Sequence, residues 1–531
     1  MTPIFNLANP LDLTKALAPD LFFMGASMLM LLVAVWRRES REHQRRVGVI
    51  SIGISAVTLV FVVISMYSIF NRSQACNCAP ATDGPIAVDN FRWMMDVIIL
   101  LGTIGALALT IDDNDRTGTT TAETHVLILL ASSGMMLLAA ARDLMIVFLG
   151  IELMSVSVYA LAGLNRRSER SAEGALKYFL LGAFSTAFLL YGIALVYGAT
   201  GATGLHEIGA RIVANNLQSS PILLIGIAML LVGFGFKVST VPFHMWAPDV
   251  YDGSPNPITA YMAATVKTAA FAAFFRVWLE AFPNAFDHWH RAVAGLAIAT
   301  MVIGNAIGLQ QRNIKRLLAY SSIAHAGFIL VAIAANTEQG ASAMLFYLLA
   351  YTLATFGAFA VIVVLSRGDA PVTSEDLSGL WTVRPWLASA MTVFMFALLG
   401  FPIIGGAGFL AKWYVLKAAL QAPEPQITLA VVLVLTTVIS AGYYLYVVMV
   451  MFMRPRPANL DAPPETPAWT QFAMVACAAS ILVIGVMPQW SASLARAGLP
   501  SCPPTCAVPG ARVTPAVNPA LLHPANLTHA H

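Results

Sequence analysis

Residues 233–267 read GFGFKVSTVPFHMWAPDVYDGSPNPITAYMAATVK, and this stretch decides the fold. It joins two long apolar runs, 219–247 and 256–280, and places a lysine close to the middle of each: Lys237 beside a midpoint near 234, counted from Pro221, and Lys267 beside 268. Roughly 20 apolar residues span a bilayer as a helix. Both lysines therefore fall near a membrane centre, where an ionisable group costs about 2.5–3.5 kcal/mol on insertion scales. Gly233, Gly235, Pro242 and His244 interrupt the first run. Irregular backbone at membrane depth persists only where protein or a water-filled cavity satisfies its polar groups. The stretch predicts a broken membrane helix beside an interior polar path.

The rest of the chain has the same character. Of 531 residues, 58% are hydrophobic and 11% charged, against a soluble norm of about 25% charged, which excludes a soluble enzyme. Apolar runs bounded by Arg, Asp, Pro and Gly clusters place helices near 20–36, 47–70, 91–111, 123–140, 143–164, 172–198, 219–247, 256–280, 292–310, 316–335, 341–366, 387–422, 426–453 and 467–489. The expected fold class is an all-α polytopic membrane protein of about 14 transmembrane helices, with lipid as its surroundings. The runs 219–247 and 387–422 are too long for one straight crossing. A net charge of +3 scattered through short loops gives no nucleic-acid surface. The N-terminus lacks the basic region and short apolar core of a cleaved signal peptide, so the first run is expected to be retained.

Charge also orients the helices, because Lys and Arg favour cytoplasmic loops. One set of alternate loops holds 16 of the 30 positive residues, including Arg37, Arg38, Arg41, Arg45 and Arg46; the other holds 10; four (Lys177, Lys237, Lys267 and Lys412) lie inside the spans. Both termini are thus expected on the exported side, which an even helix number matches. Cys76, Cys78, Cys502 and Cys506 would face that side, where a bridge between the 71–90 loop and the CPPTC tail is permitted and free thiols are the alternative. Five cysteines so spaced make no iron–sulfur or zinc set.

The buried charges define the candidate site. Glu152 lies at the middle of helix 5, His325 at the middle of helix 10, and Lys412 beside the interruption LGFPIIGGAGFLAKW in helix 12, which contains Pro402, Gly405 and Gly406. Static interhelical ion pairs are the structural alternative, but Lys237, Lys267 and Lys412 share one central carboxylate. Buried lysines exchange protons readily as neighbours move, so these four read as a proton relay. Lys177, four residues after Glu173, reads equally as a pair snorkelling to the cytoplasmic face. His325 alone reads as a core histidine bonded to a nearby carbonyl. Helices 1–3 and 14 show no midplane charge and read as scaffold.

A weak internal match, ALKYFLLGAF at 175–184 with AMLFYLLAYT at 343–352, pairs helices 4–8 with helices 9–13. Five-helix units in succession must be inverted repeats, each with a broken helix, 7 and 12. The expected organisation is scaffold helices 1–3 (1–122), a first repeat (123–280), a second repeat (281–453), helix 14 (454–490) and a Pro-rich exported tail (491–531).

Taken in order, FKVSTVPFHMWAPDVYDGSPNPITAYMAATVK, LGIELMSVSVYALAG (149–163), EGALKYFLLGAFSTA (173–187), NIKRLLAYSSIAHAGF (313–328) and GFPIIGGAGFLAKWYVLKAA (400–419) resemble the antiporter-like membrane subunits of respiratory complex I, over about residues 20–490. Within that family the APDVYDG loop, Lys412 where the M type would carry Glu, and a short tail where the L type has a lateral helix point to the subunit N branch. The resemblance implies a bacterial inner-membrane subunit of NADH:quinone oxidoreductase, with K-like and M-like neighbours. It also implies proton transport driven by NADH oxidation and quinone reduction. By the same resemblance Glu152 and Lys237 form an ion pair, Lys267 is the central relay and Lys412 the terminal one, with His325, His244 and Lys177 auxiliary. The chain has no dinucleotide fingerprint or cluster ligands, so FMN, iron–sulfur clusters and quinone would sit in partner subunits. A multi-subunit cation/proton antiporter, sharing the broken-helix core, and a non-pumping membrane scaffold are the alternatives.

Overall fold

A computed structural model describes residues 4–486 except 37–39, 77–79, 118–120, 166, 367–369, 403–405, 459 and 461. The disulfide expectation, Gly405 and the tail lie outside the described residues. Among the described residues thirteen helices are long and apolar enough to cross a membrane. They are α1 (Ala18–Trp36), α2 (Arg41–Cys76), α3 (Asn90–Thr117), α4 (Ala122–Ala140), α5 (Leu144–Ala162), α6 (Glu169–Thr200), α7 (Pro221–Val238), α8 (Asn256–Ala281), α9 (Phe286–Gly308), α10 (Ile314–Ala334), α11 (Glu338–Leu365), α13 (Ile427–Met453) and α14 (Ala468–Val486). The run expected at 387–422 is α12, made of two fifteen-residue halves, Pro385–Leu399 and Gly406–Leu420.

Local chemistry sets the ends. Asp143 caps α5 by accepting from the Met145 N–H, and Asn313 caps α10 by accepting from Lys315 and Arg316. α7 opens on Pro221, as a first helical position allows, and stops at Ser239, whose φ of 61° is left-handed. The first half of α12 stops at Gly400 with φ 81°, a conformation open to glycine at little cost.

Burial separates core from periphery. The most apolar window of α8 is wholly buried, and those of α10 and α11 are 94% and 89% buried, against 28% for α1 and 33% for α2, α6, α13 and α14. The outer helices turn large apolar side chains outward, such as Leu32, Phe184 and Val438, where acyl chains or neighbouring subunits would cover them. The lysine-bearing α8 is thus the most enclosed helix. It is also irregular: Met262–Val266 forms a π turn directly before Lys267, a device frequent at functional sites. Periodicity reading did not anticipate it.

Candidate functional site

Lys237 is the penultimate residue of α7 and is buried. Its Nζ donates to Ser155 Oγ at 2.7 Å and Tyr159 OH at 3.2 Å, both on α5, and stands 5.5 Å from the Tyr159 ring centroid. The expected Glu152–Lys237 ion pair is not formed within 4.0 Å, and Glu152 Oε1 is buried without a hydrogen-bond partner. Glu152 lies one turn before Ser155 on the same face of α5, so the lysine has settled on neutral hydroxyls beside the carboxylate. The break after Lys237 is pinned by aromatic packing: Trp246 Nε1 donates to the Phe236 carbonyl at 3.0 Å, and its indole stacks on Tyr178 at 4.4 Å. Pro242 lies in this turn and is exposed. His244 is half-buried there, with Nδ1 unpartnered and the Lys267 charge within electrostatic range.

Lys267, Ser322, His325 and Lys412 come together along α10. Lys267 Nζ donates to Ser322 at 2.5 Å (Oγ) and 3.0 Å (carbonyl). One turn further, His325 bonds Tyr347 OH through Nδ1 at 2.7 Å and Tyr444 OH through Nε2 at 3.1 Å; Tyr444 also bonds Ser321. The histidine is satisfied, but by hydroxyls that both donate and accept, not by the carbonyl expected. A cavity of about one water molecule's size is lined by His325, Tyr347, Tyr351 and Lys412. Lys412 Nζ donates to the Leu399 carbonyl at 2.9 Å, and sits 4.7 Å from the Phe328 ring centroid.

Close helix approach holds that arrangement. A Cβ on Gly408 would stand 1.7 Å from the Ala397 carbonyl oxygen, so the two halves of α12 cross where only glycine fits. Gly406 meets Gly485 of α14 in the same way, at 3.3 Å. Pro402 is exposed beside the break.

Lys177 stands apart from this row. It is 42% exposed and pairs with Glu173 at 2.6 Å and Asp249 at 2.9 Å, while Asp249 also takes Arg316 at 2.9 Å. These pairs clamp α6, the 247–253 loop helix and α10, so the snorkelling alternative describes Lys177. Burial alone would raise the Asp249 carboxyl; the hydrogen bonds from Lys177 and Arg316 hold it below the ordinary range.

A second charged cluster was not anticipated. Arg92 is wholly buried. It is paired with Asp20, donates to the Ala16 and Ala87 carbonyls, and has Nε 3.6 Å from Asp96. Arg276 bridges Asp89 at 2.8 Å and Glu280 at 2.9 Å, and Glu280 takes Arg142 at 2.9 Å. Burial pushes the Asp89 carboxyl up, but the Arg276 guanidinium outweighs it and holds it at about 2. The Arg92/Asp96 and Arg276/Glu280 spacings of four were the available signal. Among the described residues no group of three or more His, Cys, Asp or Glu is placed to hold a metal ion.

Residues 141–440 match the family model described as NADH:quinone oxidoreductase/Mrp antiporter, transmembrane. A curated relative from Gemmatimonas aurantiaca, NADH-quinone oxidoreductase subunit N, is 50% identical, covering 92% of this chain and 94% of the relative. The chain belongs to the subunit N family. A second subunit N, from Trichlorobacter lovleyi, is 42% identical over 89% of this chain and 94% of its own length. Respiratory complex I from Thermus thermophilus contains a chain that superposes with a TM-score of 0.74 at 36% identity, covering 91% of this chain and 99% of that one. A chain of the Mrp complex from Dietzia superposes at 0.80 with 21% identity, covering 91% and 97%, and shares the fold. The family confirms the all-helical, antiporter-like architecture. In the subunit N chain described here, the buried lysines are satisfied by neutral groups.

Proposed function

We propose that this subunit conducts protons in the membrane arm of NADH:quinone oxidoreductase, through Lys237, Lys267, His325 and Lys412, with Glu152 setting the proton affinity of Lys237 and His244 hydrating the path between α7 and α8. The observation that supports this most is the partner set: three buried lysines, each hydrogen-bonded to hydroxyls or a carbonyl and none to a carboxylate within 4.0 Å. A static scaffold would neutralise its buried charges, since an uncompensated ammonium in apolar surroundings costs several kcal/mol. Hydroxyl and carbonyl partners accept from the ammonium, and a hydroxyl also serves the neutral amine, so a proton can leave without orphaning the nitrogen.

The gate is electrostatic. When Lys237 moves one turn, from Ser155 to Glu152, the carboxylate favours its charged form; when it returns, the loss of that partner drives the proton toward Lys267. Moving one charge against 100 mV takes about 2.3 kcal/mol, so an ungated row would dissipate the gradient. Helices α4–α8 and α9–α13 are read as the two inverted repeats, 123–280 and 281–453, behind the scaffold helices of 1–122; helix α14 lies in 454–490, followed by the tail. The exported side holds both termini, in a bacterial inner membrane, by the charge distribution of the loops. FMN, iron–sulfur clusters and quinone belong to partner subunits of the complex, and K-like and M-like subunits flank this one.

The test is the purified complex with Lys237→Ala, reconstituted in vesicles. Assembly retained with NADH-driven pumping lost supports the relay; assembly retained with pumping at the wild-type level contradicts it.

A further inference from the structure

The lysine row leaves the buried Arg/Asp/Glu cluster unused. It gathers four carboxylates, Asp20, Asp89, Asp96 and Glu280, with three guanidinium groups, Arg92, Arg142 and Arg276. Every one of these side chains is at most 18% exposed. One negative charge is therefore in excess, in a place where an unpaired charge is strongly disfavoured.

Geometry says which group carries the imbalance. Asp89 makes two hydrogen bonds with Arg276, at 2.8 and 2.9 Å; Glu280 accepts from Arg276 and Arg142; Asp20 accepts from Arg92. Asp96 is wholly buried and both of its carboxyl oxygens lack a hydrogen-bond partner. The charged groups facing it are Asp20 and Arg92, with Arg276 and Asp89 beyond. The guanidinium of Arg92 spends its other N–H groups on Asp20 and two backbone carbonyls.

The level of Asp96 gives the imbalance a consequence. Helices α3 and α8 run antiparallel, with Asp89 on Arg276, Phe91 stacked on Phe275 at 5.5 Å, and Gly102 against Thr265. That register sets Asp96 opposite residues 269–271, about one turn from Lys267. The scaffold helix α3, read from sequence as free of midplane charge, holds a carboxyl at nearly the depth of the central lysine. Two turns along the same face of α3, Thr103 starts a buried hydroxyl chain: Thr103 to Ser132 at 2.7 Å, and Ser132 to Tyr261 of α8 at 2.5 Å. Tyr261 adjoins the π turn that leads to Lys267.

We infer that Asp96 is a proton-exchanging carboxyl, a branch of the proton pathway off the lysine row, loaded from the α8 side and released into the Arg92–Arg276 cluster. Only a proton moves. The Asp96 O–H bond breaks on release and a new O–H bond forms on the neighbouring Asp20 carboxylate, whose Oδ1 has no hydrogen-bond partner, leaving the Asp96 carboxylate beside Arg92; the Asp96 O–H bond reforms on loading, and no redox partner is needed. The inference rests on the proton-conducting reading of the chain, but not on any one lysine.

Infrared difference spectroscopy of the intact complex, resting against turning over with NADH and quinone, reads this directly. A protonated-carboxyl C=O band that changes with turnover, shifts on carbon-13 labelling of aspartate carboxyls, vanishes in Asp96→Asn and moves in Asp96→Glu supports it. So does a lower ratio of protons pumped per NADH in Asp96→Asn. A wild-type spectrum without such a band, or a band that survives in Asp96→Asn, overturns it. Failure here with pumping lost in Lys237→Ala rejects Asp96 alone; normal pumping in Lys237→Ala rejects the lysine relay instead.

Discussion

The Nζ of Lys412 donates a hydrogen bond of 2.9 Å to the carbonyl oxygen of Leu399, the last residue of the preceding half of the same helix. The break in α12 frees backbone carbonyls that a continuous helix would have bonded, and the lysine that faces the His325 cavity also serves one of them. Replacing Lys412 with Ala orphans that carbonyl, a loss of about 1–3 kcal/mol. Backbone amides at 397–401 should exchange hydrogen faster in the Lys412→Ala complex, while Lys412→Arg, which keeps a donor, should protect them.

Glycine at 408 is required by contact. With its Cβ 1.7 Å from the Ala397 oxygen, Gly408→Ala must push the α12 halves apart, and overpacking of this kind costs about 1–3 kcal/mol or more. Gly198 in α6 has nothing within 4 Å of an added Cβ, so Gly198→Ala should be neutral or slightly stabilising, by up to about 1 kcal/mol. Retention of the subunit in the complex on native gels after graded heating separates the two.

His325 depends on two tyrosines. Tyr347→Phe leaves Nδ1 without its 2.7 Å partner and Tyr444→Phe leaves Nε2 without its 3.1 Å partner. Each should lower the pumped-proton to NADH ratio while the complex stays assembled, and the double variant should fall below either, because no hydroxyl then relays to the ring. Equal ratios in all three variants and wild type would contradict the role.

Acid should loosen the 247–253 loop. The Asp249 carboxyl is held below its ordinary value of roughly 3.9, so its clamp on Lys177 and Arg316 is complete at neutral pH. Its contribution is lost as pH falls through that depressed value, the folded form then giving up its charge. Protection of the 247–253 amides, taken as the exchange rate relative to the intrinsic rate at each pH, should fall on acidification in the wild type, and be low at neutral pH and nearly pH-independent in Asp249→Asn.

Sequence position gives depth along a helix, and depth was enough to single out Lys237, Lys267, His325 and Lys412, which are buried, with Glu152 on a neighbouring helix, and to expect breaks in α7 and α12. It does not give the neighbour at that depth. Hence the partners Ser155, Tyr159, Ser322 and the Leu399 carbonyl were invisible, and the ion pair of Lys237 with Glu152 that the family resemblance implies gives way to hydroxyls one turn away. The network of Arg92, Arg142 and Arg276 was hidden for the same reason: a charge near a helix end reads as loop charge when its partners, Asp20, Glu280 and Asp89, are 72, 138 and 187 residues distant. The π turn before Lys267 has no periodic signature at all, since five residues in a wholly buried helix leave no polar face to shift.

The central claim is that Lys267, held by Ser322 at the core of α8 and α10, passes protons. Its most direct measurement is the number of protons pumped per NADH oxidised by the complex reconstituted in tight vesicles, wild type against Lys267→Ala, with quinone reduction and assembly recorded in the same preparation. A fall in that ratio with the complex assembled and quinone still reduced is the predicted result; a ratio equal to the wild type's contradicts it.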